Sequence, residues 1–300
     1  MQAFIVALPA VDRKPPGGCR RLWHPWPVGA PGYYRYDVAG YIDALRKEGD
    51  LLASAAGRAG MGAAVPACPA WSVANLLRHT SYVHRWAAGI VAQRLTSPPG
   101  EPPEEEILRR GPEEDALVRW FREGHAALVR TLEEAGPDLD CWAFLSAPSP
   151  LAFWARRQAH ETAIHRVDAE QAAEGAAQAP GGDGAGGGIW FEPAFAADGI
   201  DELIMGFLAR NIQPGTWPGL GGTLAIHAED GPDERAGWLV TGGPGAAGVS
   251  RGTGPADCTV AGRASDLYLL LWNRSPADPL RVTGDPAVLG AFAHAVTITW

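Results

Sequence analysis

The segment Trp154-Ala155-Arg156-Arg157-Gln158-Ala159-His160-Glu161-Thr162-Ala163-Ile164-His165-Arg166-Val167-Asp168 concentrates the chemistry of this chain. It lies inside a helix expected to start at Ser149-Pro150 and to run to about Glu174. The run looks like the HExxH helix of metalloproteases, but the spacing differs. His160 and His165 are five residues apart, which on a helix separates them by about 140°. They cannot hold one ion from the same face. Glu161 and His165 are four apart, one turn along a shared face, and can.

Two ligands on one helix need a third from elsewhere. A second helix, starting after the N-cap Ser72 and ending near Gln93, offers both His79 and His84. Either can point inward. His79 follows Leu76 by three residues, and Leu76 belongs with Val73 to the apolar stripe, so His79 is favoured. His79, Glu161 and His165 together give two imidazoles and a carboxylate with one coordination position left open. That is the catalytic pattern of zinc, and it also tolerates nickel, cobalt or iron(II). The remaining histidines His84 and His160 read as ordinary helix residues, and Cys68 as a packing residue with no base beside it.

Working outward, two further helices complete a set of four. One carries Val38, Ile42, Leu45, Leu52 and Ala56 at helical spacing after the N-cap Asp37, with Glu48 on the other side of the wheel. The other opens at Pro112-Glu113-Glu114-Asp115, lines Leu117, Phe121, His125, Leu128 and Leu132 along one face, and stops at Gly136-Pro137. Residues 98 to 112 between them read as a loop, with Glu104-Glu105-Glu106 solvated. Four amphipathic helices in this span predict an all-α four-helix bundle over residues 36–180. The glycine-rich run 181–189 follows a helix rather than a strand and carries no Lys-Ser/Thr, so it reads as a linker and not a phosphate loop. Beyond it, a helix over 195–210, strands at 223–228, 238–241, 258–261 and 280–283, and helices at 265–272 and 286–295 predict a small α+β domain over residues 190–300. Residues 1–35 show no helical periodicity and read as a poorly structured extension.

Bulk properties narrow the function. A chain of 300 residues accommodates two cores. The net charge of -9, with no segregated basic patch, argues against a nucleic-acid partner. No apolar stretch approaches the roughly 20 residues that span a bilayer, so no membrane association is expected. Cys19, Cys68, Cys141 and Cys258 are widely spaced with no CxxC pair, which points to reduced thiols and a cytoplasmic location.

The strings from Cys68 to Trp86 (CPAWSVANLLRHTSYVHRW) and from Arg156 to Glu170 (RRQAHETAIHRVDAE) closely resemble the mycothiol-dependent maleylpyruvate isomerase family, whose first domain is a DinB-like metal-binding four-helix bundle. The resemblance extends from about Tyr36 to the C-terminus. It implies that His79, Glu161 and His165 bind the metal. Ala261 to Arg274 and Leu280 to Asp285 resemble the family's sterol-carrier-like second domain. There Arg274 matches an arginine associated with the cleft, and Asn273 stands where a glycine is usual, an exchange a left-handed cap tolerates. The alternative role of Arg274 is a cation at a helix C-terminus. Together these imply an enzyme that uses a divalent metal, with zinc favoured, and a low-molecular-weight thiol such as mycothiol. It would act on a small electrophile by S-transfer or cis–trans isomerisation. The alternative is a non-catalytic metal- and small-molecule-binding protein.

Overall fold

The computed structural model describes residues 5–7, 35–100, 102–178, 189–211, 220–231, 236–242 and 248–299. They belong to two compact units, one formed by Tyr36–Ile189 and the other by Trp190–Trp300 with the first 35 residues. The expected extension over 1–35 lies outside the described residues except at 5–7 and Arg35. The expected linker 181–189 lies outside them except at Ile189, and Cys19 lies outside them too.

The first unit is helical. Its elements are α1 (Val38–Ala59), a small hairpin of β2 (Ala64–Val65) and β3 (Cys68–Ser72), α2 (Val73–Ala92), α3 (Glu104–Ile107), α4 (Glu114–Glu134) and α5 (Pro150–Gln178). Local chemistry sets the ends. The Asp37 carboxylate accepts the Gly40 N–H at the start of α1, and Gly60, at φ 82°, lies just past its end. Ser72 and Asn75 close a reciprocal capping box on α2. The long helices pack in a cycle: α1 on α5 and α4, and α2 on α4 and α5. Leu45, Leu52, Leu76, Leu77, Phe121, Leu128 and Trp154 fill the space between them and are fully buried. Burying each such side chain stabilises the unit by roughly 1.5–3 kcal/mol relative to leaving it exposed. Gly49 sets how closely α1 and α4 approach, because a Cβ there would overlap the His125 ring.

Two sequence expectations change here. The segment 98–112 is not all loop: α3 forms within it, and although Glu104, Glu105 and Glu106 are exposed as expected, the Glu104 carboxylate also accepts a hydrogen bond from Trp71 Nε1 at 3.2 Å. Glu48, placed on the polar side of α1, is buried and bonds Arg166 Nε at 2.8 Å. The reason for the second is α5, in which every residue from Leu151 to Ala169 is buried. A helix buried on all sides brings its charged residues inside, and each then needs a partner.

The second unit joins helices to a sheet. It contains α6 (Pro193–Asp201), a π-helical stretch (Glu202–Leu208), α7 (Ala209–Asn211), β4 (Gly222–Ala228), β5 (Gly237–Gly242), β6 (Gly248–Arg251), β7 (Cys258–Gly262), α8 (Ala264–Leu271), β8 (Arg281–Gly284), α9 (Pro286–Ala295) and β9 (Thr297–Thr299). The sheet order is β6-β5-β4-β7-β8. Only the central β4–β7 pair is parallel. Separately, β9 pairs antiparallel with β1 (Ile5–Ala7). Trp238, Tyr268 and Trp272 are buried in this unit. Asp201 is buried and holds both the Trp238 indole N–H, at 3.1 Å, and the Arg251 guanidinium. Asn273, at φ 59°, takes the left-handed conformation that ends α8. No helix among the described residues is long and apolar enough to cross a membrane.

Candidate metal centre

His79 lies in the second turn of α2, while Glu161 and His165 lie one turn apart on α5. The antiparallel packing of these helices is fixed further along by the His84–Thr162 hydrogen bond of 2.9 Å and the Trp86–Trp154 contact at 5.4 Å between ring centroids. That register brings the three residues together. Glu161 Oε1 is 3.3 Å from His165 Nε2 and 3.8 Å from His79 Nε2. Among the described residues they form a metal-capable group whose ligand atoms all lie within 4.8 Å of one another. All three side chains are buried.

The donor set fits a divalent ion. Ligands at about 2.0–2.2 Å from a tetrahedral zinc lie about 3.3 Å apart, and the observed separations approach that value. Glu161 Oε1 is buried and accepts no hydrogen bond, while its other oxygen accepts one from Arg157 at 2.9 Å. His165 Nδ1 lies 3.0 Å from Asp168 Oδ2. A carboxylate on one imidazole nitrogen fixes the ring and turns the other nitrogen's lone pair toward the metal side, as is usual for metal-bound histidines.

Electrostatics prepare two of the three groups, Glu161 and His79, for a cation. Burial alone would raise the Glu161 pKa. The two imidazoles and the Arg157 guanidinium outweigh it and hold this carboxylate well below the usual range, so it is ionised at neutral pH. Burial also dominates at His79 and keeps its pKa below the ordinary value despite Glu161, which leaves its ring neutral and able to donate a lone pair. At His165 burial opposes the charged form, but Asp168 and Glu161 prevail and its pKa is raised.

Other candidates sit elsewhere. His84 is buried against Phe121 and His125, with its Nε2 on Thr162. His160 is also buried but lies outside the three-residue group. Cys68, Cys141 and Cys258 are buried thiols, and burial raises the pKa of the last two. Arg274, in the second unit, is 5% exposed and donates from Nη1 to the Trp272 carbonyl at 2.8 Å. Sequence reasoning singled out His79, Glu161 and His165 but gave no role to Arg157 or Asp168. Their spacings, four residues before Glu161 and three after His165, are the ones at which helix side chains meet. Trp71, expected as a core or cleft-wall residue, is buried with its ring 4.9 Å from that of His79 and its N–H held by Glu104.

Comparison with known proteins gives a consistent picture. The family description "Mycothiol maleylpyruvate isomerase N-terminal domain" matches residues 42–170, and its C-terminal domain matches residues 194–291. No curated protein matches the sequence. Two solved structures of the mycothiol-dependent maleylpyruvate isomerase share the fold. One is a histidine-to-alanine mutant, with a TM-score of 0.53, and the other has a TM-score of 0.52. Each is 13% identical to this chain, and each alignment covers 85% of this chain and 96% of the other.

Proposed function

The chain belongs to the mycothiol-dependent maleylpyruvate isomerase family, and we propose that it is a metal-dependent enzyme that uses a low-molecular-weight thiol, mycothiol first among them, on a small electrophile. In this reading residues 36–180 form a DinB-like four-helix bundle, 190–300 a sterol-carrier-like domain, and the enzyme works in the cytoplasm. The observation that carries the proposal is the buried cluster of His79, Glu161 and His165, with a carboxylate oxygen that accepts no hydrogen bond. His79 and His165 would supply the imidazole nitrogens and Glu161 the carboxylate for a divalent ion, most naturally zinc.

Bound there, such an ion supplies a Lewis acid that favours the thiolate form of a thiol near neutral pH. The protein's own groups prepare the rest. Arg157 neutralises part of the Glu161 charge and fixes its rotamer, and Asp168 fixes the His165 ring. Burial excludes bulk water, so the thiolate competes with little hydroxide. The thiolate sulfur adds to one carbon of an electrophilic double bond, the π electrons move onto the attached electron-withdrawing group, and a retained adduct takes back the proton the thiol gave up. If the new C–S bond later breaks after rotation about the former double bond, the outcome is isomerisation. If it persists, the outcome is S-transfer. Arg274 is the proposed catalytic cation that receives an anionic group of the substrate.

The test is metal content and thiol-dependent turnover of the full chain. Purified protein should carry about one divalent ion per chain. His165→Ala should lose most of it and His160→Ala should keep it. Full occupancy in the His165 variant would reject the ligand set. Wild-type protein with bound metal but no thiol-dependent turnover across an electrophile panel would reject the enzymatic reading.

A further inference from the structure

We infer that Gln158 is a ligand-binding residue beside the metal centre and receives the amide N–H next to the sulfur of a cysteine-derived thiol. The inference rests on the thiol reading above. Gln158 is 1% exposed, and its Oε1 is buried without a hydrogen-bond partner. A buried amide oxygen left unpaired is costly, and in folded proteins such groups are satisfied by protein, water or ligand.

Its position says which occupant to expect. Gln158 precedes Glu161 by three residues and His165 by seven, so all three lie along one face of α5. Helical side chains lean toward the N-terminus, and the Glu161 carboxylate meets the Arg157 guanidinium from one turn before it. The stem of Gln158 therefore rises beside the ligand carboxylate. On the opposing helix its level falls between His79 and Trp86, because Glu161 faces His79 and Trp154 faces Trp86. The polar neighbour Thr162 is already committed. Its hydroxyl donates to the Gln158 carbonyl at 2.7 Å and so accepts from His84 Nε2. The Gln158 side-chain oxygen has no such commitment.

A thiol built on cysteine carries an amide N–H only a few bonds from sulfur. With sulfur at the open side of the His79–Glu161–His165 cluster, that N–H is within the reach of one helical turn, the offset of Gln158. Simple alkyl thiols lack the group and gain nothing from Gln158.

The experiment uses the cobalt-loaded full chain and reads thiol binding from the sulfur-to-cobalt absorption band. N-acetylcysteinamide is the amide-bearing probe and 2-mercaptoethanol the control. Gln158→Met, which keeps volume, should retain metal and weaken N-acetylcysteinamide binding about three- to tenfold, the effect of one hydrogen bond, while 2-mercaptoethanol binds as before. In the absence of thiol the variant should melt about 2–4 °C higher, because an unpaired buried amide is gone. Equal loss for both thiols, or no loss for either, overturns the assignment. A lower melting temperature with unchanged binding also overturns it and assigns Gln158 to a structural water. If wild-type protein binds neither thiol, the thiol reading falls and Gln158 with it. If wild type prefers N-acetylcysteinamide and the variant keeps that preference, only the role of Gln158 falls.

Discussion

Asp168 offers the most direct test of how the metal centre is held. Its Oδ2 lies 3.0 Å from His165 Nδ1, and both residues are fully buried. In this arrangement the carboxylate fixes one ring orientation and enriches the imidazole as a donor. Losing such an outer partner lowers metal affinity about 10–100-fold, which is about 1.4–2.7 kcal/mol. Asp168→Asn keeps the volume and a carbonyl oxygen but removes the charge. A charge-assisted hydrogen bond is about twice as strong as a neutral one, so this variant should sit near the tenfold end. Asp168→Ala also leaves the buried Nδ1–H without its acceptor and opens a small void, and should sit near the hundredfold end. The assay is competition for zinc against a chromophoric chelator at constant pH, with far-UV circular dichroism to confirm the helices. Wild-type affinity in both variants, with the fold intact, would show that His165 is oriented by packing alone. A loss of more than about a thousandfold lies beyond a positioning effect and would make Asp168 itself a ligand.

Two further outcomes are expected. Burial, reinforced by Arg46 and opposed by Asp50, holds the His125 pKa at about 4 in the folded protein. The unfolded chain therefore takes up this proton first: stability is full above about pH 6.5 and falls as pH drops toward 4, by about 3 kcal/mol from this group. Urea midpoints should fall across that window, and His125→Gln should flatten the fall; an unchanged pH dependence in the variant would refute it. Arg274→Ala should keep metal content and fold while lowering thiol-dependent turnover at least about tenfold, as for the loss of one transition-state donor. Normal turnover in that variant would reduce Arg274 to the helix-end residue that its bond to the Trp272 carbonyl describes.

Periodicity exposed α1, α2 and α4 because their faces are genuinely two-sided. Leu45, Leu52, Leu76 and Phe121 are buried where the spacing placed them, and the caps at Asp37 and Ser72 form as their side chains suggest. What escaped was structure decided by distant partners. The hairpin of β2 and β3 is too short to show an alternating pattern, and β6 (Gly248–Arg251) is recognisable only through its pairing with β5. The π-helical stretch after α6 reads as continuous helix, since its apolar residues serve either winding.

The site divides along the same line. Spacing on one helix was enough to relate Glu161 to His165 and to separate His160 from His165, because helix geometry alone fixes those relations. Choosing His79 required a guess about which face of α2 turns inward, and apolar neighbours supplied it. The supporting charges were harder to see because charged residues are read as solvent-facing by default, and α5 violates that default over its whole buried length. Arg157, Asp168 and Arg166 are all inside, and each is held by an opposite charge or an imidazole: Glu161, His165, and Glu48 with Glu170. An isolated buried charge would be prohibitive, so the sequence must place a partner at a compatible helix spacing or on a facing helix. The pairs Arg157–Glu161, His165–Asp168 and Arg166–Glu170 follow the first route, and Glu48, reaching Arg166 from α1, follows the second. A helix whose charges are spaced to pair with one another, and whose wheel has no clear polar face, can therefore be read as buried, and its unpaired acceptors, Glu161 Oε1 and Gln158 Oε1, as the atoms left for a guest.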